Sequence, residues 1–154
     1  MGRVLGVDLG TRRIGLALSD PSGVLASPLA TLARSGDLAA DHRSIVEVAR
    51  QEGADCIVVG LPLSLSGRAG PAARDVLAEV VELAEAAGAV EPRLSVETHD
   101  ERLTTVTAEA RLSAGGLRGP ARRRVVDQAA AAVMLQSWLD RRGAGCPRKE
   151  QGAR

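Results

Sequence analysis

Acidic residues stand at apolar positions on separate stretches of the chain. Asp8 lies inside Arg3–Leu9 (RVLGVDL), a run of strand formers. In an extended strand Val4, Gly6 and Asp8 share one face and Leu5, Val7 and Leu9 the other. Both faces look apolar, so a carboxylate there is costly unless it meets a cation. The plainer alternative is an acid at a strand end that caps the Gly10-Thr11 turn. Asp127 precedes a stretch without charge, Gln128 to Leu139, and shares a helical side with Ala130, Ala131 and Met134. With Pro120 as helix start it lies about two turns in, where the benefit of the helix N-terminus has faded. Asp100 and Glu101 follow a short apolar stretch; alone they read as a solvated turn before a helix capped by Thr104 or Thr105. Such acids meeting in one pocket repel one another unless a divalent cation lies between them. Hard oxygen donors in a chain with two histidines suit Mg²⁺ or Mn²⁺, not zinc. A pair of such ions, roughly 4 Å apart, serves in-line attack of water on a phosphodiester.

Positive charge flanks the acids. Arg12 and Arg13 follow Asp8, Arg102 adjoins Glu101, and Arg118, Arg122, Arg123 and Arg124 precede Asp127. Arg68 lies in a Gly/Ser loop leading into a helix N-terminus, a natural phosphate site. Singly, each reads as a solvated arginine; as a set they suit a polyanion held beside bound metal. His99 reads as a surface histidine, with a general base as the alternative. His42 and Cys56 read as structural, and Trp138 as a core or interface residue.

These residues need elements to place them. Arg3–Leu9 and Ile14–Ser19 read as a hairpin, followed by the turn Asp20-Pro21-Ser22-Gly23. Val24–Leu32 is a third strand, demoted to an edge by Pro28. Asp37–Gln51 is a helix with Leu38, Ile45, Val46 and Ala49 inward, stopped by Gly53. Ala54–Gly60 is a buried strand and Leu61–Gly70 a loop. A helix opens at Pro71, buries Val76, Leu77, Val80, Val81 and Ala84, and ends at Gly88. Leu94–Glu97 is a last short strand, Thr105–Ala114 a short helix, and the final helix runs from Pro120 to about Arg142. The order β-β-β-α-β-α-β-α-α predicts an α/β fold. Its sheet is mixed and five-stranded, an antiparallel hairpin meander plus parallel strands, flanked by helices. Ligands in such sheets sit at the carboxyl ends of strands.

Composition sets the bounds. The chain has 154 residues, 45% hydrophobic and 25% charged, which fits one domain over about 1–142 with a flexible polar tail at 143–154. Disorder and collagen-like design are excluded. With no Phe or Tyr and Trp138 alone, the core is aliphatic, and a platform that stacks bases on aromatic rings is excluded. A net charge of +1 does not announce a nucleic-acid binder, so that reading rests on local clustering. Cys56 and Cys146 make neither a disulfide framework nor a zinc site. No stretch approaches the roughly 20 apolar residues of a membrane span, and no leader pattern is present, so a soluble cytoplasmic protein is expected.

Four blocks carry a resemblance: LGVDLGTRRIGLALSD (5–20), IVVGLPLSLSG (57–67), DERLTTVTAE (100–109) and VVDQAAAAVMLQSWLD (125–140). Together they resemble the motif blocks of the YqgF, or RuvX-like, family, in order and over nearly the whole chain. The resemblance implies a ribonuclease H-like fold, shared with Holliday junction resolvases. It implies catalytic, metal-binding acids at Asp8, Glu101 and Asp127, with Asp100 as competitor for Glu101. It implies a nuclease that processes the 5′ end of pre-16S ribosomal RNA, with contact to a ribosome precursor; some members are described as junction resolvases acting on branched DNA. A homodimer fits the resolvase branch, since two symmetric strands call for two sites. Other classes stay open. DLGTRRIG also resembles the phosphate loop of the actin–sugar kinase–chaperone superfamily, whose fold needs two such domains. A scaffold that keeps the fold but acts through partners is the third reading.

Overall fold

The computed structural model describes residues 2–63, 70–102 and 119–143; for Leu63, Glu101, Arg102, Gly119, Pro120 and Gly143 only the backbone is described. β1 (Arg3–Leu9), β2 (Arg13–Ser19) and β3 (Ala26–Ala33) come first. They are followed by α1 (Leu38–Gln51), β4 (Ala54–Leu63), α2 (Pro71–Val90), β5 (Ser95–Arg102) and α3 (Gly119–Gly143). The strands form one sheet in the order β3-β2-β1-β4-β5. β1–β2 and β2–β3 are antiparallel, while β1–β4 and β4–β5 are parallel. The mixed five-stranded sheet is therefore as expected, with β3 at an edge. Pro28 sits there at a bulge, where pairing jumps from Leu16–Ala30 to Ala17–Pro28 and the missing N–H costs no ladder bond.

Strand alternation sends two apolar sets to opposite faces. Leu5, Val7, Ile14, Leu16, Ile57 and Val59 pack with Ile45, Val46 and Ala49 of α1 and Ala73, Val76, Leu83 and Ala87 of α2. On the other face Val4, Ala17, Cys56 and Val58 meet Ala131, Met134, Leu135 and Leu139 of α3. Asp37 caps α1, accepting bonds from the amides of Ala39 (3.0 Å) and Ala40 (3.3 Å). Among the described residues no helix is long and apolar enough to cross a membrane.

Several boundaries and faces differ from expectation. β4 runs on to Leu63, and β5 runs through Asp100, Glu101 and Arg102, which are strand and not turn. Leu61, Pro62 and Leu63 pair there with Asp100, Glu101 and Arg102. β5 is the sheet's other edge, where Ser95, Glu97, Thr98 and Asp100 are exposed, and the apolar periodicity that marks a strand is missing. In α2 the buried stripe is Ala73, Val76, Leu83 and Ala87, with Leu77, Val81 and Ala84 exposed, and the helix passes Gly88 to Val90. Two overlapping apolar stripes run along that helix, and only docking against α1 and the sheet selects one. In α1 Leu38 is exposed, while Asp41 and His42 take buried positions. The short helix expected at Thr105–Ala114, its caps Thr104 and Thr105, and the tail with Cys146 lie outside the described residues.

Buried and half-buried polar groups form a network across the α1–α2 layer. Arg34, just after β3, donates through both terminal nitrogens to Glu79 of α2 (3.0 and 2.8 Å) and through Nε to the Gly10 carbonyl (2.9 Å). The His42 ring nitrogen Nε2 lies 2.9 Å from Glu79 Oε2. Burial pushes the Glu79 carboxyl up, but the bonds from Arg34 and His42 overrule it and hold its pKa below the usual carboxylate value. A folded pKa below the unfolded one means that the unfolded chain binds the proton first. That increment of stability is complete above the unfolded pKa and is lost as pH falls through the folded one. Glu79→Gln takes from the Arg34 guanidinium, whose side chain is 13% exposed, its nearest carboxylate and leaves Asp41 at 3.8 Å. It is expected to cost about 2–3 kcal/mol at neutral pH and to flatten the loss of stability below about pH 5. Urea midpoints at pH 7, 5, 4 and 3 check both, and unchanged midpoints in the variant would remove the network from the stability of the fold.

Candidate functional site

β1 brings Asp8 to the face that α3 covers. Its cross-strand partner is Gly15 of β2, and Gly15 in turn pairs with Thr31 of β3. One residue beyond the Val7–Val59 pair stand Asp8 and Gly60, and Gly60 pairs with His99. This row crosses the sheet near the carboxyl ends of its parallel strands.

α3 is laid on this row where side chains are absent. A Cβ at Gly15 would fall 2.1 Å from the Asp127 carbonyl oxygen, and one at Gly6 would fall 2.8 Å from Leu135 Cβ. Directly opposed residues hold their Cβ atoms about 4.5–5.5 Å apart, so the Asp8 side chain leaves the sheet beside the point of closest approach. Asp8 and Asp127, on β1 and α3, are thereby brought to one place. A glycine inside a strand is the sequence signal for such an approach.

Asp127 has a partner of the opposite sign. Arg13 Nε donates to Asp127 Oδ2 at 2.6 Å, with the two side chains 29% and 23% exposed. Arg13 is thus Asp127's own counter-ion. Among the described residues no group of three His, Cys, Asp or Glu side chains could hold one metal ion. The described geometry pairs Asp127 with a guanidinium, and the side chain of Glu101 lies outside the described residues.

Strand parity separates Asp100 from Glu101. Position 101 pairs with Pro62 and has the parity of His99 and Glu97; Asp100 has the opposite parity and is exposed. That parity belongs to the α3 face, because His99 Nε2 lies 3.1 Å from Ser137 Oγ of α3. His99 is 8% exposed and so not a surface histidine; burial pushes its pKa below the usual histidine value. It ties the edge strand to α3, a role that its polar neighbours in sequence concealed.

The arginines divide. Arg13, Arg123 and Arg124 line one cleft with Thr31 and Ala33. Arg12 and Arg122 are exposed, while Arg68, Arg118 and the side chain of Arg102 lie outside the described residues. Thr31, whose Oγ1 donates to the Arg124 carbonyl at 2.9 Å, and Arg34 are contacts that sequence reasoning missed. Nothing in their local pattern distinguishes them. Cys56 and His42 are buried as expected, the Cys56 thiol being pushed up to about 11 by burial. Trp138 is partly buried beside the α3-face core, with Arg142 over its ring at 4.9 Å.

The fold is like that of RuvC. The structure of T. thermophilus RuvC in complex with a Holliday junction substrate matches with a TM-score of 0.52 and 17% identity, covering 92% of this chain and 95% of that one; the fold is ribonuclease H-like. The profile of the RuvX family, described as a Holliday junction resolvase, matches residues 2–141. A relative from Mycobacteroides abscessus is 43% identical over 92% of this chain and 82% of its own length. One from Nocardia farcinica is 43% identical over 93% and 80%, and one from Mycobacterium tuberculosis 42% over 99% and 86%. All three carry the name "Putative pre-16S rRNA nuclease". The chain belongs to the RuvX family.

Proposed function

We propose that this protein is a divalent-metal-dependent nuclease that processes the 5′ end of pre-16S ribosomal RNA in the cytoplasm, on a ribosome precursor, with Asp8, Glu101 and Asp127 as its acids. The observation that carries the reading is the seat at Gly15, which gathers Asp8 and Asp127 from the two ends of the chain on one sheet face. The parity of position 101 favours Glu101 over Asp100 as the third acid.

The donor set suits a hard divalent ion: carboxylate oxygens, no thiolate, and His99 already engaged by Ser137. Asp8, Glu101 and Asp127 would hold Mg²⁺ or Mn²⁺, which when bound polarises the phosphoryl oxygens and generates the attacking hydroxide. Arg13 meets Asp127 through Oδ2. It holds that carboxylate in place and neutralises part of its repulsion toward the other acids. The arginine fork also fits the added charge of the pentavalent phosphate during attack.

The test is cleavage by the purified chain with Mn²⁺ or Mg²⁺ of an RNA carrying the 5′ precursor segment, beside a four-way DNA junction. Release of the 5′ segment, abolished by a chelator and restored by the metal, is the expected result. Failure to cut either substrate overturns the nuclease reading. Cleavage of the junction alone supports the second reading, a resolvase, which the family description favours; that function calls for a homodimer.

A further inference from the structure

On the β3 side of α3 opens a cleft of about 150 Å³, lined by Arg13, Thr31, Ala33, Arg123 and Arg124. We propose that this cleft is a subsite for one backbone phosphate of the nucleic-acid substrate, next to the scissile bond. The inference rests on the nuclease reading above.

Three guanidinium groups from two elements share a single cleft. Asp127 answers Arg13, but Arg123 and Arg124 are exposed and make no ion pair among the described residues. Like charges held together attract an anion, and the planar arginine fork is shaped for phosphate.

The cleft is also built. Thr31 Oγ1 bonds the Arg124 carbonyl and fixes the start of α3 to the edge strand. Arg13 is anchored through Nε to Asp127. Opposite Arg13 stands Ala33, and opposite Thr31 stands Gly15, so small residues leave the depth. The space is several times what one water needs. None of the lining residues is aromatic, so the cleft gives a base nothing to stack on, and the sugar–phosphate backbone is the part it fits. Arg13 belongs to both places, which sets the bound phosphate beside the acid.

A shared phosphate has a measurable signature. The salt dependence of binding counts phosphates neutralised, with a log–log slope of about 0.7 for each in a single strand. The experiment measures binding of a short single-stranded RNA, and the same sequence as DNA, across salt concentrations and without divalent metal. Arg123→Gln, Arg124→Gln and the double variant are compared with the unsubstituted chain, and Arg43→Gln on α1 is the control. Glutamine keeps helix propensity, and thermal melts verify the fold.

The double variant is expected to lower the slope by about 0.7 in all, the share of one phosphate, and each single variant by no more than that, equally for RNA and DNA. A double variant that loses about 1.4, the share of two phosphates, means separate phosphates and overturns the inference. So do unchanged slopes, a loss confined to RNA, or no binding by the unsubstituted chain. The nuclease reading is judged apart from this, by cleavage of the precursor RNA.

Discussion

Asp8→Asn is expected to lower the cleavage rate by at least about 10³-fold while the fold remains intact. Asparagine has the shape of aspartate, so the partly exposed position next to Gly15 stays filled. What is lost is the negative charge with which, on the proposed function, Asp8 would hold a divalent ion. The measurement is the single-turnover rate at saturating Mn²⁺, with thermal melting as the fold control. A variant that cleaves at the unsubstituted rate would remove Asp8 from the chemistry, and the metal site with it. The same assay separates the adjacent acids. Glu101→Gln is expected to fall as far as Asp8→Asn, and Asp100→Asn to keep most of its activity, because the two positions have opposite strand parity. The reverse outcome would place the metal on the other face of β5.

Gly15→Ala is expected to cost about 3 kcal/mol and to take activity with it. Its Cβ would lie 2.1 Å from the Asp127 carbonyl oxygen and 2.6 Å from the carbonyl carbon. These are backbone atoms of a helix, so no rotamer change relieves the contact and α3 must move off the sheet. Overpacking of this kind costs about 1–3 kcal/mol, sometimes more. For a chain of this length that is roughly 6–12 °C in Tm. Lifting α3 also separates Asp127 from Asp8 and draws Arg13 with it. Activity should therefore fall even at temperatures where the variant is fully folded. Gly88→Ala makes the contrast, since nothing lies within 4 Å of its added Cβ. In the last turns of α2 it is expected to raise stability by about 0.5 kcal/mol. A Gly15→Ala variant as stable as the unsubstituted chain would mean that the helix seats elsewhere.

Much of this architecture is legible from local pattern. The apolar runs Arg3–Leu9 and Ile14–Ser19, the punctuation at Asp20–Gly23 and the proline in the third strand place the meander and its edge. Asp8 announces itself by polarity in a buried strand, and Asp127 by standing at the border of an uncharged helix. Where reading failed, the cause is specific. Edge strand β5 ends in Thr98-His99-Asp100-Glu101-Arg102, whose side chains obey no apolar period, although its backbone pairs with β4 to the end. The inward stripe of α2 is ambiguous along the helix, and α1 and the sheet resolve it. His99 looks solvated beside two acids, yet Ser137 and α3 cover it.

Periodicity, composition and turn chemistry are properties of neighbouring residues. The chain alone therefore settled the order of the described strands and helices, the aliphatic core and the acids that are out of place. Contacts between distant residues are another matter. The Arg13–Asp127 pair spans 114 positions, and the cleft at Thr31, Ala33, Arg123 and Arg124 exists only once β3 and the start of α3 lie side by side. A charge does not encode which distant charge it will meet. Only the folded packing, with α3 seated on Gly6 and Gly15, could turn a lone carboxylate into one half of an ion pair beside an arginine-lined cleft.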